Sequence, residues 1–245
     1  MKIKDIYSFL NELSPFELQE KWDNSGLNVG SLEDEVKTVY ISLDLDLEML
    51  ENVEENSLII THHPLIFSPL RTITYNDYAT KILKVLIQKN IALISMHTNI
   101  DVTHLNRYVA SNILGLDVIN SEGYVVYANV DCSFDELYKN ISSKLQLEYS
   151  KVVRCHDRVK KVALVTGSGM SMINDIDADV FLTGDIKYHD AMDAKVRGIS
   201  LIDIRHYESE HHFSSLVMGL LEEYLIKNEL KAIISASKNP FEFCI

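Results

Sequence analysis

Cysteine is scarce in this chain. Cys132, Cys155 and Cys244 are scattered over 245 residues and none forms a CxxC pair. That spacing argues against a disulfide framework or a thiolate zinc site, fits a reducing compartment, and gives the expectation of a cytoplasmic protein. Long apolar runs are missing too: none reaches the roughly 18 residues that a membrane helix needs, so no spanning segment is expected. The start, Met1-Lys2-Ile3-Lys4-Asp5-Ile6, has neither an apolar h-region nor a small-residue cleavage site, so no secretory signal is expected. Positive charge is in deficit. Lys and Arg number 23 against 36 Asp and Glu, a net charge of −13. A nucleic-acid partner needs clustered Lys and Arg to neutralise phosphate, and this balance argues against one. Bound cations can neutralise part of the negative charge. With 4 Pro and 9 Gly the chain has no Pro/Gly/Ser-rich linker. Nor does it show a solenoid repeat or a low-complexity tract.

What is present is an ordinary globular composition, 47% hydrophobic and 24% charged. Strand-length apolar runs alternate with helical patterns, which predicts an α/β fold. Helices are expected over Ile3–Leu13, from Ser14-Pro15-Phe16-Glu17 with Ser14 as cap, over Tyr78–Asn90, Leu105–Leu114, Ser133–Leu145 with a Ser133/Glu136 capping box, and Ser209–Lys227. Strands are expected at Val36–Leu43, Ser57–Thr61, Ile91–Ser95, Tyr124–Val130, Val159–Thr166, Val180–Thr183, Ile199–Ile204 and Ala232–Ser235. The pattern predicts one compact domain over residues 1–245, built of two α/β lobes, about 1–120 and 121–245.

Four apolar strands run straight into polar clusters: Thr61-His62-His63-Pro64, Met96-His97-Thr98-Asn99-Ile100-Asp101, Thr183-Gly184-Asp185 with Lys187-Tyr188-His189, and Arg205-His206-Tyr207-Glu208-Ser209-Glu210. Ligand sites in open α/β sheets lie beyond the carboxyl ends of strands, so a shared site is expected there. Chance alone gives roughly one His followed by an acid four residues on and about 0.3 His-His doublets at this composition. The chain has three of the first (His97/Asp101, His189/Asp193, His206/Glu210) and two of the second, an excess over both chance values.

Adjacent strand residues point to opposite faces, so His62 and His63 are expected to serve different ions. His206 and Glu210 share a face if a helix begins there, and a carboxylate with two oxygens can bridge two ions. Asp101 offers another hard oxygen, with a helix N-cap as the rival reading. His97 is a candidate ligand, proton shuttle or supporting group, while His189 and Asp185 are as readily structural as functional. His211 and His212 read as helix-surface or core residues. Gly167-Ser168-Gly169 is either an anion-binding nest or a plain tight turn. Lys187, Arg71 and Arg205 are candidate phosphate contacts, with solvated surface charge as the default.

Lys21-Trp22-Asp23-Asn24-Ser25-Gly26-Leu27-Asn28-Val29-Gly30 resembles a WDNxGLxVG signature, Thr61–Phe67 a THHPLxF block, and His97–Asp101 an HTNxD block. With Thr183–His189 and His206–Glu210, these blocks resemble, in order and over nearly the whole chain, the dinuclear-metal family of GTP cyclohydrolase I type 2 homologues, also called NIF-three-like proteins. The resemblance implies two related α/β lobes, a homohexamer, and two divalent ions (Zn, Mn, Fe, Co or Ni) held by His62, His63, Asp101, His206 and Glu210, with Glu210 bridging. At 245 residues the large domain inserted in some relatives is expected to be absent. A metal-dependent hydrolase acting on a nucleotide, GTP by the family name, follows, with His97 as general acid or base. A dinuclear phosphoesterase or amidohydrolase, and a non-catalytic metal-handling or regulatory protein, are the alternatives.

Overall fold

The computed structural model describes residues 1–235 and 237–242; Cys244 lies outside the described residues. The chain divides into two compact units, Met1–Ile100 with Phe213–Ile245, and Asp101–His212. The strands, in chain order, are β1 (Gly26–Val29), β2 (Thr38–Ser42), β3 (Leu58–Thr61), β4 (Ala92–Ser95), β5 (Asp117–Glu122), β6 (Val125–Ser133), β7 (Val152–Val153), β8 (Arg158–Leu164), β9 (Val180–Thr183), β10 (Ser200–Asp203) and β11 (Lys231–Ile234).

In the first unit the sheet order is β1-β4-β3-β2-β11. All neighbours are parallel except β1, which runs antiparallel to β4. β2, β3 and β4 are buried at every position, the expected result of a parallel sheet covered on both faces. The register aligns Tyr40 with Ile59 and Ile59 with Leu93. That row forms one core with Ile82, Leu83 and Leu86 of the helix Tyr78–Gln88. Each such fully buried aliphatic side chain contributes about 1.5–3 kcal/mol. The pairing of β11 with β2 explains why the C-terminal segment belongs to this unit. The boundaries therefore differ from a single division near residue 120.

In the second unit the order is β5-β6-β8-β9-β10-β7. Only β8, β9 and β10 are mutually parallel. The same device recurs: Ala163, Phe181 and Leu201 align across the sheet and share a core with Ile186 and with Ala194 of the helix Tyr188–Arg197. The Ser133/Glu136 capping box starts the helix Phe134–Lys144 as expected.

Several expectations fail locally. Residues 16–18 form one 3-10 turn rather than a helix capped by Ser14. Ser14 is buried, and its hydroxyl and carbonyl both accept from Asn99 Nδ2. The stretch expected as the helix Leu105–Leu114 is α-helical only at Asn106–Tyr108, with π-helical turns at Asp101–Leu105 and Val109–Ile113. The last helix is broken at His211-His212 into His206–Glu210 and Phe213–Lys227. No helix among the described residues is long and apolar enough to cross a membrane.

Candidate metal centre

In the first unit the ends of β2, β3 and β4 carry Asp44, His62-His63 and His97. β3 stops at Thr61, and both histidine N–H groups donate to the carbonyl of Leu43, at 3.1 and 3.2 Å. Strand alternation therefore no longer governs the pair: the two rings lie 4.8 Å apart instead of on opposite faces. The inference that adjacency assigns them to different ions loses its geometric basis. The His97 ring lies 5.1 Å from His62 and 5.4 Å from His63. One ring nitrogen from each of the three sits within 4.8 Å of the others, a group able to hold a metal ion.

The ring orientations fit that role. His62 Nδ1 lies 2.8 Å from the Met96 carbonyl, His63 Nδ1 2.9 Å from Asp44 Oδ1, and His97 Nδ1 2.8 Å from Asp23 Oδ1. A carbonyl or an ionised carboxylate only accepts, so Nδ1 carries the proton in each ring and the lone pair falls on Nε2. Metal-bound imidazoles are typically oriented this way by a carbonyl or carboxylate behind them.

Asp23 was visible in the sequence only as part of the signature, with no role assigned. Its side chain is fully buried. It accepts from His97 Nδ1, from the N–H groups of Asn24 and Thr98, and from the hydroxyls of Ser25 and Thr98. Burial pushes its carboxyl upward, but the bonds from His97 and Thr98 outweigh this and hold it well below the usual carboxylate range.

In the second unit His206 and Glu210 begin and end one short helix, which starts three residues before the expected Ser209 and so puts the pair on one face. His206 Nδ1 lies 2.7 Å from Asp185 Oδ2, and Nε2 lies 3.0 Å from Glu210 Oε2. Burial lowers the affinity of His206 for its proton, yet the bonds to Asp185 and Glu210 win and raise its pKa to about 11. Asp185 is held below its ordinary value chiefly by His206. Two carboxylates around one imidazole form a cation-seeking arrangement.

The backbone here is strained. Asp185 has φ of 53°. Arg205 has φ of 59° and ψ of 159°, a region almost confined to glycine. Arg205 is held there by its own contacts: its N–H donates to Asp203 Oδ1 at 3.0 Å, and its guanidinium bonds Glu208 at 2.9 Å and lies 4.3 Å over the Tyr149 ring. That engagement sets aside the default of solvated surface charge, and it commits to Glu208 and Tyr149 the guanidinium that a phosphate contact would use. Gly167 has φ of 60°, and a Cβ placed on it would stand 2.0 Å from Glu210 Oε1.

The Gly167–Gly169 segment is a turn and not an open anion nest. The Gly167 N–H donates to Ser209 Oγ at 3.0 Å and the Gly169 N–H to Thr183 Oγ1 at 2.8 Å. Asp101 is not a helix N-cap; it opens a π-helical turn directly after the helical residues Thr98–Ile100. Such turns recur at functional positions. Lys187, His189 and Arg71 are exposed. His211 is exposed, whereas burial, with His211 alongside, lowers the pKa of His212 to about 4.

The profile of the Duf34/NIF3 (NGG1p interacting factor 3) family matches residues 1–240. The chain is 45% identical over 244 residues to the Campylobacter jejuni protein named GTP cyclohydrolase 1 type 2 homolog, covering 99% of this chain and 100% of that one. It is 46% identical over 242 residues to the Helicobacter pylori protein named GTP cyclohydrolase 1 type 2, covering 98% of each. The crystal structure of a Staphylococcus aureus hypothetical protein superposes with a TM-score of 0.87 at 30% identity, covering 100% of this chain and 99% of that one. The likeness runs over the full length with no inserted domain.

Proposed function

Because the chain belongs to the Duf34/NIF3 (NGG1p interacting factor 3) family, we propose that it holds two divalent metal ions and hydrolyses a purine nucleotide, opening the five-membered ring of GTP with release of formate. The observation that carries this reading is the common orientation of four imidazoles. His62, His63 and His206 each have Nδ1 bound to a carbonyl or carboxylate, which leaves Nε2 to face an ion, and His97 has the same orientation, which leaves its Nε2 to take a proton. The residues that would hold the ions are His62, His63, Asp101, His206 and Glu210, and the two oxygens of Glu210 would let it serve both. This N/O donor set without thiolate suits Zn, Mn, Fe, Co or Ni.

Divalent ions held there would supply a water of lowered pKa, a nucleophile near neutral pH. The chain's own part is proton handling. His97 takes a proton at Nε2 from the water that adds to C8, and returns it to the ring nitrogen that leaves C8. Asp23, bonded to Nδ1, stabilises the imidazolium between those two events. A second water releases the formyl group as formate. The same reading carries a homohexamer, checked by sedimentation at micromolar concentration, and a cytoplasmic location, checked by cell fractionation.

Protein reconstituted with metal under anaerobic conditions is incubated with GTP and followed by product mass and formate. Formate release that disappears in His62→Ala supports the reading. No formate, or formate that persists in His62→Ala, rejects it in favour of a metal-handling role. Bridging is tested by metal content: Glu210→Ala is expected to lose more metal than Asp101→Ala, and equal losses argue against it.

A further inference from the structure

Trp22 and Phe67 are held out of the core. They are 56% and 50% exposed, although large aromatic rings are usually mostly covered. Their centroids are 5.6 Å apart with planes tilted by 44°. A third ring between them would need roughly 7 Å, twice a stacking contact, so the pair is closed to insertion and presents its outer faces. It is also braced. Asp23, next to Trp22, is anchored by its bonds to His97 and Thr98. Asn24 Nδ2 donates to the carbonyl of Ile66 at 2.6 Å and ties the Phe67 segment to the Trp22 segment. Three consecutive residues thus expose a ring, anchor it and fix its neighbour.

Both rings adjoin the histidine cluster. The His97 centroid lies 6.1 Å from Trp22 and 6.3 Å from Phe67, edge-on to each. We infer that Trp22, backed by Phe67, is a stacking platform for the planar heteroaromatic base of a nucleotide, holding that base beside His97. This deepens the proposed function and rests on it for the choice of a purine. A base has a flat π-face and polar edges: the face suits a rigid exposed indole, and the edge is then offered to His97. Base–aromatic stacking contributes enough that removing the aromatic face is expected to weaken binding roughly 5- to 150-fold.

Trp22 is the chain's single tryptophan, so its fluorescence reports this position alone. The full-length protein is titrated with guanosine 5′-monophosphate and, in parallel, with ribose 5-phosphate. Quenching by the first and not by the second is expected. By calorimetry, Trp22→Leu is expected to lose that factor for the nucleotide and nothing for ribose 5-phosphate, Trp22→Phe to recover most of it, and Phe67→Leu to lie between. Each variant is expected to keep the wild-type thermal midpoint, since both rings are half exposed. No nucleotide-dependent quenching, or equal affinity in wild type and Trp22→Leu, overturns the platform. So does an emission shift that follows protein concentration and ignores nucleotide, because a second copy of the chain then covers the rings. The formate assay on the same preparations separates the two ideas. Formate with unaltered Trp22→Leu affinity rejects stacking alone; stacking without formate rejects the hydrolytic reading alone.

Discussion

The first unit and the second orient histidines by different means. In the first, neither the histidines nor the residues behind them take positive φ, and the imidazoles are set from behind by Met96, Asp44 and Asp23. In the second, the backbone itself is forced: Asp185 and Arg205 take positive φ, and Gly167 lies against the Glu210 carboxylate. One arrangement is made by side-chain partners, the other by a strained turn that local contacts hold. The first should tolerate changes of backbone preference and fail when a partner is lost. The second should do the reverse.

The largest expected effect tests the second unit. Gly167→Ala adds a methyl group where Glu210 already stands and places a side chain at φ of 60°. The combined overpacking and strain should cost about 2–4 kcal/mol. Urea denaturation should show the loss, and metal content should fall with it. A variant of wild-type stability that keeps its metal would show that the close approach is not a constraint.

Next come matched acid-to-amide changes. Asp23→Asn removes a buried charge that accepts several hydrogen bonds, and should cost about 2–3 kcal/mol. Asp185→Asn alters a carboxylate that is 51% exposed, and should cost under about 1 kcal/mol. Equal losses would remove the distinction between the units.

The pH dependence of metal-stripped protein sharpens the contrast. Asp23 has a folded pKa below its ordinary 3.8. Its contribution is present above that value and is lost as pH falls further. His206 is raised from 6.5 to about 11, so its contribution is full below pH 6.5 and is lost as pH climbs towards 11. Denaturation midpoints across pH should show Asp23→Asn flattening the acid limb and His206→Gln the alkaline limb. A single variant that flattened both limbs would contradict the assignment.

Much of this was legible in the sequence because burial writes itself in apolar runs. β2, β3, β4, β9 and β10 were each predicted within two residues at either end. The polar clusters were correctly placed at their carboxyl ends. The i, i+4 spacing of His206 and Glu210 gave a true helix pair, because that rule depends only on helical geometry. Part of what escaped depends on partners remote in sequence. β1 is short, lies at the sheet edge and mixes polar with apolar residues, so its pairing with β4 leaves no periodic trace. Asp23 supports a histidine 74 positions away. The strand-alternation argument for His62 and His63 failed because β3 ends at Thr61, before either histidine.

The smallest prediction isolates strain from contact. Arg205→Ala loses the bonds to Glu208 and Tyr149 while keeping the unfavourable backbone, whereas Arg205→Gly loses the same bonds and relieves it. After allowing for the larger unfolded-state entropy of glycine, the glycine variant should be more stable than the alanine variant by about 1 kcal/mol. The reverse order would show that the turn stores no strain.

The conformation of Arg205 also has a consequence in time. A turn that sits uphill in local energy, held by side-chain tethers, needs less free energy to open by itself than the strand β10 that precedes it. In hydrogen exchange the amides of residues 205–206 should therefore be replaced by deuterium well before those of 201–202. The His206 side chain would then pass through brief open states in which its imidazole swings away from Asp185. Any ion held there would leave at a rate set by those openings, even where its equilibrium affinity is high.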